Sequence, residues 1–389
     1  MWWWYWQSWD IFGQYVASLK NSKGNRNKIS TSGWFLSPDT ETKSACRLGR
    51  GTSTVSNRSF IFTKPTRQHC LTETTIGFLL YPIGHEFQPE NYPLMQEGYI
   101  SYGNEAVAWV QSFRSDVLDS VFKTISYVAD AELLIIIAAC IYWIIEKRVG
   151  FSLMLLFLFG SYLNLAVKGL LEIPRPSGPE IKQLSLFTGY SLPSAHAQNA
   201  TTFGLITART FRNQLFGIFT IILVLSIGLS RVYMGAHYPT DVVLGILAGI
   251  ALVATYSYLL RFLESRITKL SFSKQILIVV TTMTPCFFGA PTPKAAVAVM
   301  MLSSFCIGWI FENRYLHSAS LGTFKARSLQ VLIGITGLGL IVLLGRLLEF
   351  LPGHDLLIAT ALGFWITLGA PSLFLIAGVA EHRTLAISS

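Results

Sequence analysis

The sequence predicts an all-α protein whose helices cross a membrane several times. Hydrophobic residues make up 51% of its 389 residues and charged residues only 13%, about half the roughly 25% found in soluble domains. Several apolar runs approach the roughly 20 residues that span a bilayer. Because lipid offers no partner for backbone polar groups, each run is expected to form a helix.

Residues 1–95 differ from the rest of the chain. They are rich in Ser, Thr, Asn and Gly, and they show no sustained hydrophobic period. We interpret them as a polar, disordered leader. The Trp-rich start lacks the basic region and cleavage site of a signal peptide. An alternative is that translation begins at Met95 and that the leader is not native. Mass spectrometry of N-terminal peptides distinguishes the two.

Apolar residues recur at three- and four-residue steps over residues 105–130, interrupted by charges. This pattern predicts a helix that lies along the membrane surface. Nine spans should follow, at about residues 131–146, 151–168, 195–210, 213–230, 241–261, 275–292, 295–312, 328–350 and 356–378. The third is weakly apolar, so we expect it to face the bundle interior.

Charge distribution predicts the orientation of the spans. If Lys147 and Arg148 are cytoplasmic, alternation places most loop Lys and Arg residues on the cytoplasmic side, as the positive-inside rule requires. The same alternation puts three polar clusters together on the extracytoplasmic face, periplasmic or lumenal. The clusters are Lys168 with Arg175-Pro176, then Pro193-Ser194-Ala195-His196, then Ser230-Arg231 with His237 and Asp241.

Charged residues beside apolar runs are costly unless they converge on an anion. Phosphate is the expected anion, since its oxygens match the donors of Arg. The clusters read K-x6-R-P, P-S-x-H and S-R-x5-H-x3-D. This pattern resembles the three motifs of the type-2 phosphatidic acid phosphatase superfamily of membrane lipid phosphatases. The resemblance covers about residues 105–262, and it departs at Ala195, where the family usually has Gly.

The resemblance implies a phosphatidic acid phosphatase type 2/haloperoxidase-like helical core with extra C-terminal transmembrane helices. We divide the chain into the leader (1–95), a lipid phosphatase core (96–265) and a C-terminal transmembrane extension (266–389). The fold class is therefore a polytopic membrane helix bundle.

His237 is the predicted nucleophile, because an imidazole can attack phosphorus and form a phospho-histidine. Asp241 would accept a hydrogen bond from its other ring nitrogen, as Asp does in a hydrolase triad. His196 would protonate the leaving alkoxide and then activate water. These three residues are the predicted catalytic set.

Five residues are predicted to bind phosphate. Lys168, Arg175 and Arg231 would clamp the oxygens on which charge builds up in the transition state. Ser194 would donate its hydroxyl and Ala195 its backbone N–H, at the start of a helix that favours an anion.

No acidic cluster suggests a magnesium site, and no Cys/His cluster resembles a zinc site. We therefore expect catalysis without a metal or another cofactor. The net charge of +9 is assigned to residues that flank spans, since no nucleic-acid motif accompanies it. The expected partners are a lipid phosphate substrate and membrane lipids. The oligomeric state is not specified by the sequence.

The predicted function is hydrolysis of a lipid phosphomonoester or diphosphate through a phospho-histidine intermediate. Two alternatives stay open. A lipid phosphotransferase would pass the phosphoryl group to an alcohol, and phosphate release without an added acceptor separates it from a hydrolase. A transporter or scaffold would keep only a vestigial phosphatase core.

Overall fold

The computed structural model describes residues 92–260, 262 and 266–382. The predicted leader lies outside these residues except for residues 92–95, which begin the first helix. The core contains α1 (Tyr92–Gln111), α2 (Asp116–Tyr127), α3 (Ala131–Ile144), α4 (Lys147–Leu171), α5 (Ala195–Phe211), α6 (Gln214–Tyr233) and α7 (Pro239–Thr255), which continues into a π-helical turn at Tyr256–Leu260.

The C-terminal extension is also helical. It contains α8 (Phe272–Phe288), α9 (Pro293–Phe311) with a π-helical turn at Glu312–Leu316, β1 (Ser318–Ser320), α10 (Phe324–Leu347), α11 (His354–Phe364) with a π-helical turn at Trp365–Gly369, α12 (Ala370–Ile376) and β2 (Ala380–His382). The two short strands pair antiparallel, with Ser318 opposite His382.

The predicted surface helix over residues 105–130 is two helices rather than one. It breaks after Gln111, and Ser115 caps the next helix by accepting from the N–H of Leu118 at 3.3 Å. The break leaves Gln111 buried, with its amide donating to the carbonyl oxygen of Tyr233 at 2.8 Å. Hydrophobic periodicity does not reveal tertiary hydrogen bonds of this kind, so it did not predict the break.

The protein is an integral membrane protein. Within the described residues, six helical segments are long and apolar enough to span a bilayer: Lys147–Leu171, Gln214–Tyr233, Pro239–Leu259, Pro293–Leu316, Phe324–Leu347 and His354–Ile376. The helices α2 and α3, bent by 44°, form a seventh if they are counted as one broken span. The remaining predicted spans, 195–210 and 275–292, are the 17-residue helices α5 and α8.

Helix α5 is polar where the other long helices are apolar, because it lies inside the bundle. Its buried residues include Gln198, Asn199, Thr201 and Thr202. It packs closely on α7, where Gly245 and Gly249 face its backbone. A Cβ at Gly249 would lie 2.7 Å from the carbonyl oxygen of Gln198, so these glycines permit the close approach.

The extension packs directly on the core. One cluster of buried residues contains Phe157 of α4 together with Phe305 of α9 and Ile366 near the C-terminus. The indole of Trp143 donates to the carbonyl oxygen of Ile366 at 2.9 Å. The predicted division at residue 265 therefore separates two segments that share one hydrophobic cluster.

Candidate active site

His237 lies in the short connection between α6 and α7, and only 2% of its surface is exposed. Its Nδ1 is 3.2 Å from Oδ2 of Asp241, in the first turn of α7. Pro239 at the first position of this helix has the backbone angle that a helix start needs. On the other side of the ring, Nε2 is 3.5 Å from Nη1 of Arg175. The imidazole thus lies between a carboxylate and a guanidinium group.

The Asp241 carboxylate, fully buried, is held by several donors. The hydroxyl of Ser191 and the backbone N–H of Tyr238, at 2.9 Å, both donate to Oδ2. The phenol of Tyr99 donates to Oδ1 at 2.5 Å. Burial, followed by the charge of Asp241, raises the pKa of Tyr99, so the phenol keeps its proton. These donors fix the orientation of the carboxylate that faces His237.

Lys168, the first residue of the first motif, lies in the last turn of α4 and is 9% exposed. Its ammonium group donates to the carbonyl oxygens of Tyr190 at 2.7 Å and Ser191 at 2.8 Å. Two of its three N–H donors therefore secure the segment that leads to the second motif. The third is left for another acceptor.

Arg175 connects the first and third motifs. Its Nε donates to the carbonyl oxygen of Gly189 at 3.0 Å, and its Nη2 donates to that of Thr188 at 2.9 Å. Its Nη1 donates to the carbonyl oxygen of Ala236 at 2.7 Å, next to His237. Hydrogen bonds on all three nitrogens hold the guanidinium plane beside the imidazole.

Arg231, in the last turn of α6, is 5% exposed and supplies a second guanidinium group. Its Nη1 donates to the hydroxyl of Ser126 at 2.6 Å, while its buried Nε has no partner among the described residues. The ring of Phe187 lies 5.1 Å from Arg231 and 5.7 Å from Arg175. Two cations around one ring, one of them with an unused buried donor, form a site suited to an anion.

The second motif begins α5. Ser194 caps this helix, since its hydroxyl oxygen accepts from the N–H of Ala197 at 3.5 Å. Its own backbone N–H donates to the carbonyl oxygen of Asp241 at 3.0 Å, which joins the second motif to the third. Ala195 is the first residue of the helix.

His196 forms a second pair of an imidazole and a carboxylate. Its Nε2 is 2.8 Å from Oδ1 of Asp130, which lies just before α3. The His196 side chain is 23% exposed and that of Asp130 is 31% exposed, against 3% for His237. The site therefore contains one fully buried imidazole and one that water can reach.

The buried imidazole is kept neutral. Burial lowers the pKa of His237 well below its usual value of about 6.5, and the positive charges of Arg175, Lys168 and Arg231 lower it further. At neutral pH the ring therefore carries one proton. With that proton on Nδ1, donated to Asp241, the lone pair of Nε2 is available.

Five residues that the motifs do not include also take part in the site: Tyr99, Ser126, Asp130, Phe187 and Ser191. Ser191 is near the second motif in sequence, so proximity alone could have suggested it. In the sequence, Asp130 is simply a charged residue before a predicted span, and nothing there indicated a contact with His196. Among the described residues, no group of three or more His, Cys, Asp and Glu side chains has the arrangement of a metal site.

Comparison with known proteins supports the assignment of the motifs to one family. Residues 149–265 match the model described as the PAP2 superfamily. Residues 296–382 match the model described as PAP2 superfamily phosphatase, transmembrane extension. The first match lies within the predicted core and the second lies within the predicted extension.

Two curated relatives each match less than half of the chain. Glucose-6-phosphatase catalytic subunit 1 of Rattus norvegicus is 29% identical over 189 residues, which is 41% of this chain and 53% of the relative. Sphingosine-1-phosphate phosphatase 1 of Rattus norvegicus is 30% identical over 131 residues, 32% of this chain and 30% of the relative. The chain thus spans about half the length, or less, of these relatives.

A solved structure, Aquifex aeolicus LpxE, aligns with 40% of this chain and 94% of its own, at 23% identity and a TM-score of 0.37.

Proposed function

The chain belongs to the type-2 phosphatidic acid phosphatase (PAP2) superfamily, and from this membership we propose that it is a membrane phosphatase that hydrolyses a lipid phosphomonoester or diphosphate. The observation that carries the proposal is the position of His237, with Nδ1 at Asp241 and Nε2 at Arg175. A phosphoryl group bound by Arg175 would lie against the nitrogen that has the free lone pair.

In the first step, Nε2 of His237 attacks phosphorus. An N–P bond forms, the bond between phosphorus and the lipid oxygen breaks, and His196 gives its proton to the leaving alkoxide. Asp241 stabilises the positive charge that the attacking ring acquires. Asp130, at 2.8 Å from His196, orients the second imidazole for proton transfer.

In the second step, water attacks the phospho-histidine. His196 now takes the proton from water, the N–P bond breaks, and inorganic phosphate leaves. The greater exposure of His196 suits this role, because the attacking water must reach it. A buried nucleophile together with a partly exposed acid–base group suits two-step hydrolysis.

The cations take the place that a metal ion has in many phosphatases. Lys168, Arg175 and Arg231 provide positive charge where negative charge builds up, and they would repel a divalent cation. The unused Nε donor of Arg231 is available to a phosphoryl oxygen. We propose that the hydroxyl of Ser194 and the N–H of Ala195 donate to the same group. This charge supports the proposal that catalysis needs no metal.

We place the site on the extracytoplasmic face. Basic residues are concentrated at the other ends of the helices, such as Lys147 at the start of α4 and Arg212 between α5 and α6, and the positive-inside rule assigns these ends to the cytoplasm. Water-soluble dibutanoyl phosphatidate added to sealed membrane vesicles whose extracytoplasmic face points outward should therefore release phosphate. Release only after permeabilisation would reverse the assignment.

The direct test is an assay of phosphate release by the purified protein in detergent micelles with EDTA and no added alcohol. We expect release from phosphatidate, sphingoid-base phosphate or prenyl diphosphate in preference to glucose 6-phosphate. Preference for glucose 6-phosphate would overturn the lipid assignment, and product only with an alcohol acceptor would indicate a phosphotransferase. Activity lost to EDTA and restored by magnesium would contradict metal independence.

The lowered pKa of His237 predicts the pH dependence. The nucleophile must be neutral, so the acid limb of activity lies at the pKa of His237 in the folded protein, below about 6.5, and a separate alkaline limb follows as His196, the general acid, loses its proton. A phosphomonoester substrate also ionises, with a pKa of about 6. Phosphorus NMR measures this pKa, so the effect of substrate ionisation can be removed from the pH profile of kcat/KM. After that correction, the acid limb of kcat/KM should lie below 6.5; a limb at or above it would contradict the proposed nucleophile.

A further inference from the structure

An apolar cavity of about 160 Å³ lies between the core and the C-terminal extension. Its walls come from α3 and α4 of the core and from α9, α10 and α11 of the extension. Phe157, Met301 and Leu362 form its inner part, and the last two lie about two turns into their helices. The cavity therefore extends from the ends of the helices towards the middle of the membrane.

Four charged residues line the other end of the cavity: Glu132, Lys294, Arg346 and Asp355. Each is the second or the second-last residue of its helix. Oδ2 of Asp355, which is 7% exposed, has no hydrogen-bond partner among the described residues. Charged residues thus border one end of the cavity while the space itself is apolar, which suits a lipid chain whose head group lies at the membrane edge.

The charged end lies next to the candidate active site. Ala131 and Glu132 line the cavity and directly follow Asp130, whose carboxylate is bound to His196. On α4, Leu165 lines the cavity about one turn before Lys168. A lipid whose phosphate reached His196 would therefore have a hydrocarbon-sized space beside its first methylene groups.

We propose that this cavity binds a hydrocarbon chain of the lipid substrate and that the C-terminal extension serves to complete it. An apolar cavity of roughly 150 Å³ stays dry and takes up small hydrocarbons, so this space suits an acyl or prenyl chain better than water. The proposal rests on the proposed function. It would explain why the substrate is a lipid phosphate rather than a water-soluble one.

The test narrows the cavity without touching the site. Ala298 of α9 lines the cavity, and Ala251 of α7 is exposed on the outer surface and does not. The variant Ala298→Phe should lower kcat/KM for dihexadecanoyl phosphatidate by at least about tenfold, because a single methylene already produces discrimination of this order in an apolar pocket and a phenyl group is larger. Its activity on dibutanoyl phosphatidate should stay at the wild-type value. Ala251→Phe should change neither activity.

Equal activity of Ala298→Phe and wild type on the long-chain substrate would overturn the proposal. If Ala298→Phe loses activity on both substrates, a second measurement decides. Dihexadecanoyl phosphatidate with a diazirine near the chain end should crosslink wild-type protein to peptides from α9 and α11, and unlabelled phosphatidate should compete. Crosslinks only to lipid-facing helices, or crosslinks without competition, would show a membrane lipid instead. Failure of wild type on every phosphate substrate would reject the proposed function separately.

Discussion

Replacing His237 with Ala is expected to reduce phosphate release from a lipid phosphate by at least about 10³-fold, the scale of loss when a nucleophile is removed. The ring is the group that joins the Asp241 carboxylate to the Arg175 guanidinium. Without it, no imidazole nitrogen faces the bound phosphoryl group. Initial rates of purified variants measure the effect, and thermal unfolding shows whether the variant still folds.

The intermediate itself can be trapped with His196→Ala. para-Nitrophenyl phosphate has a leaving group that needs no proton, so the first step should proceed, while the second lacks its general base. Phosphate should then accumulate on His237. Intact-protein and peptide mass spectrometry after an alkaline quench measures it, since N–P bonds hydrolyse in acid. The double variant His196→Ala/His237→Ala serves as control. Phosphate on another residue, or none during turnover, would rule out the phospho-histidine.

Replacing Asp130 with Asn is expected to lower kcat/KM for an alkyl phosphate by roughly 10²-fold, within the range that a general acid contributes. The carboxylate holds His196 at 2.8 Å and stabilises its protonated form. A neutral amide holds the imidazole less firmly, and it stabilises the protonated form less. The loss of kcat/KM should be much smaller for para-nitrophenyl phosphate, because that leaving group needs little protonation and because kcat/KM does not include the later hydrolysis of the phospho-histidine.

The control is Asp116→Asn, which removes an exposed carboxylate from α2 and should leave both activities unchanged. The ratio of the kcat/KM values for the two substrates distinguishes a loss of orientation of the acid from a general loss of structure. If Asp130→Asn slowed both substrates equally, Asp130 would have only a structural role, and the assignment to proton transfer would be wrong.

The candidate site was predictable where its residues are close in sequence. His237 and Asp241 are four residues apart, and Pro239 between them marks the helix start, so their contact needs only local geometry. Ser194 and Ala195 begin a helix, as predicted. The spacing of these motifs therefore contains most of the information about their local structure.

The partners that lie far away in sequence were not predictable. Asp130 reaches His196 across 66 residues, and Tyr99 reaches Asp241 across 142. A single Asp before a helix, or a single Tyr within one, has no periodicity that would distinguish it from an ordinary surface residue. Only the packing of α1 and α3 against the motif segments brings these groups to the site.

The composition and the apolar runs by themselves determined that this is a helical membrane protein, since backbone polar groups in lipid must be satisfied within each helix. They also placed three polar clusters on one face. Which helices adjoin, and hence the second carboxylate–imidazole pair and the cavity beside it, was decided by tertiary packing. The reason is that hydropathy records whether a side chain avoids water and does not record which neighbour it meets.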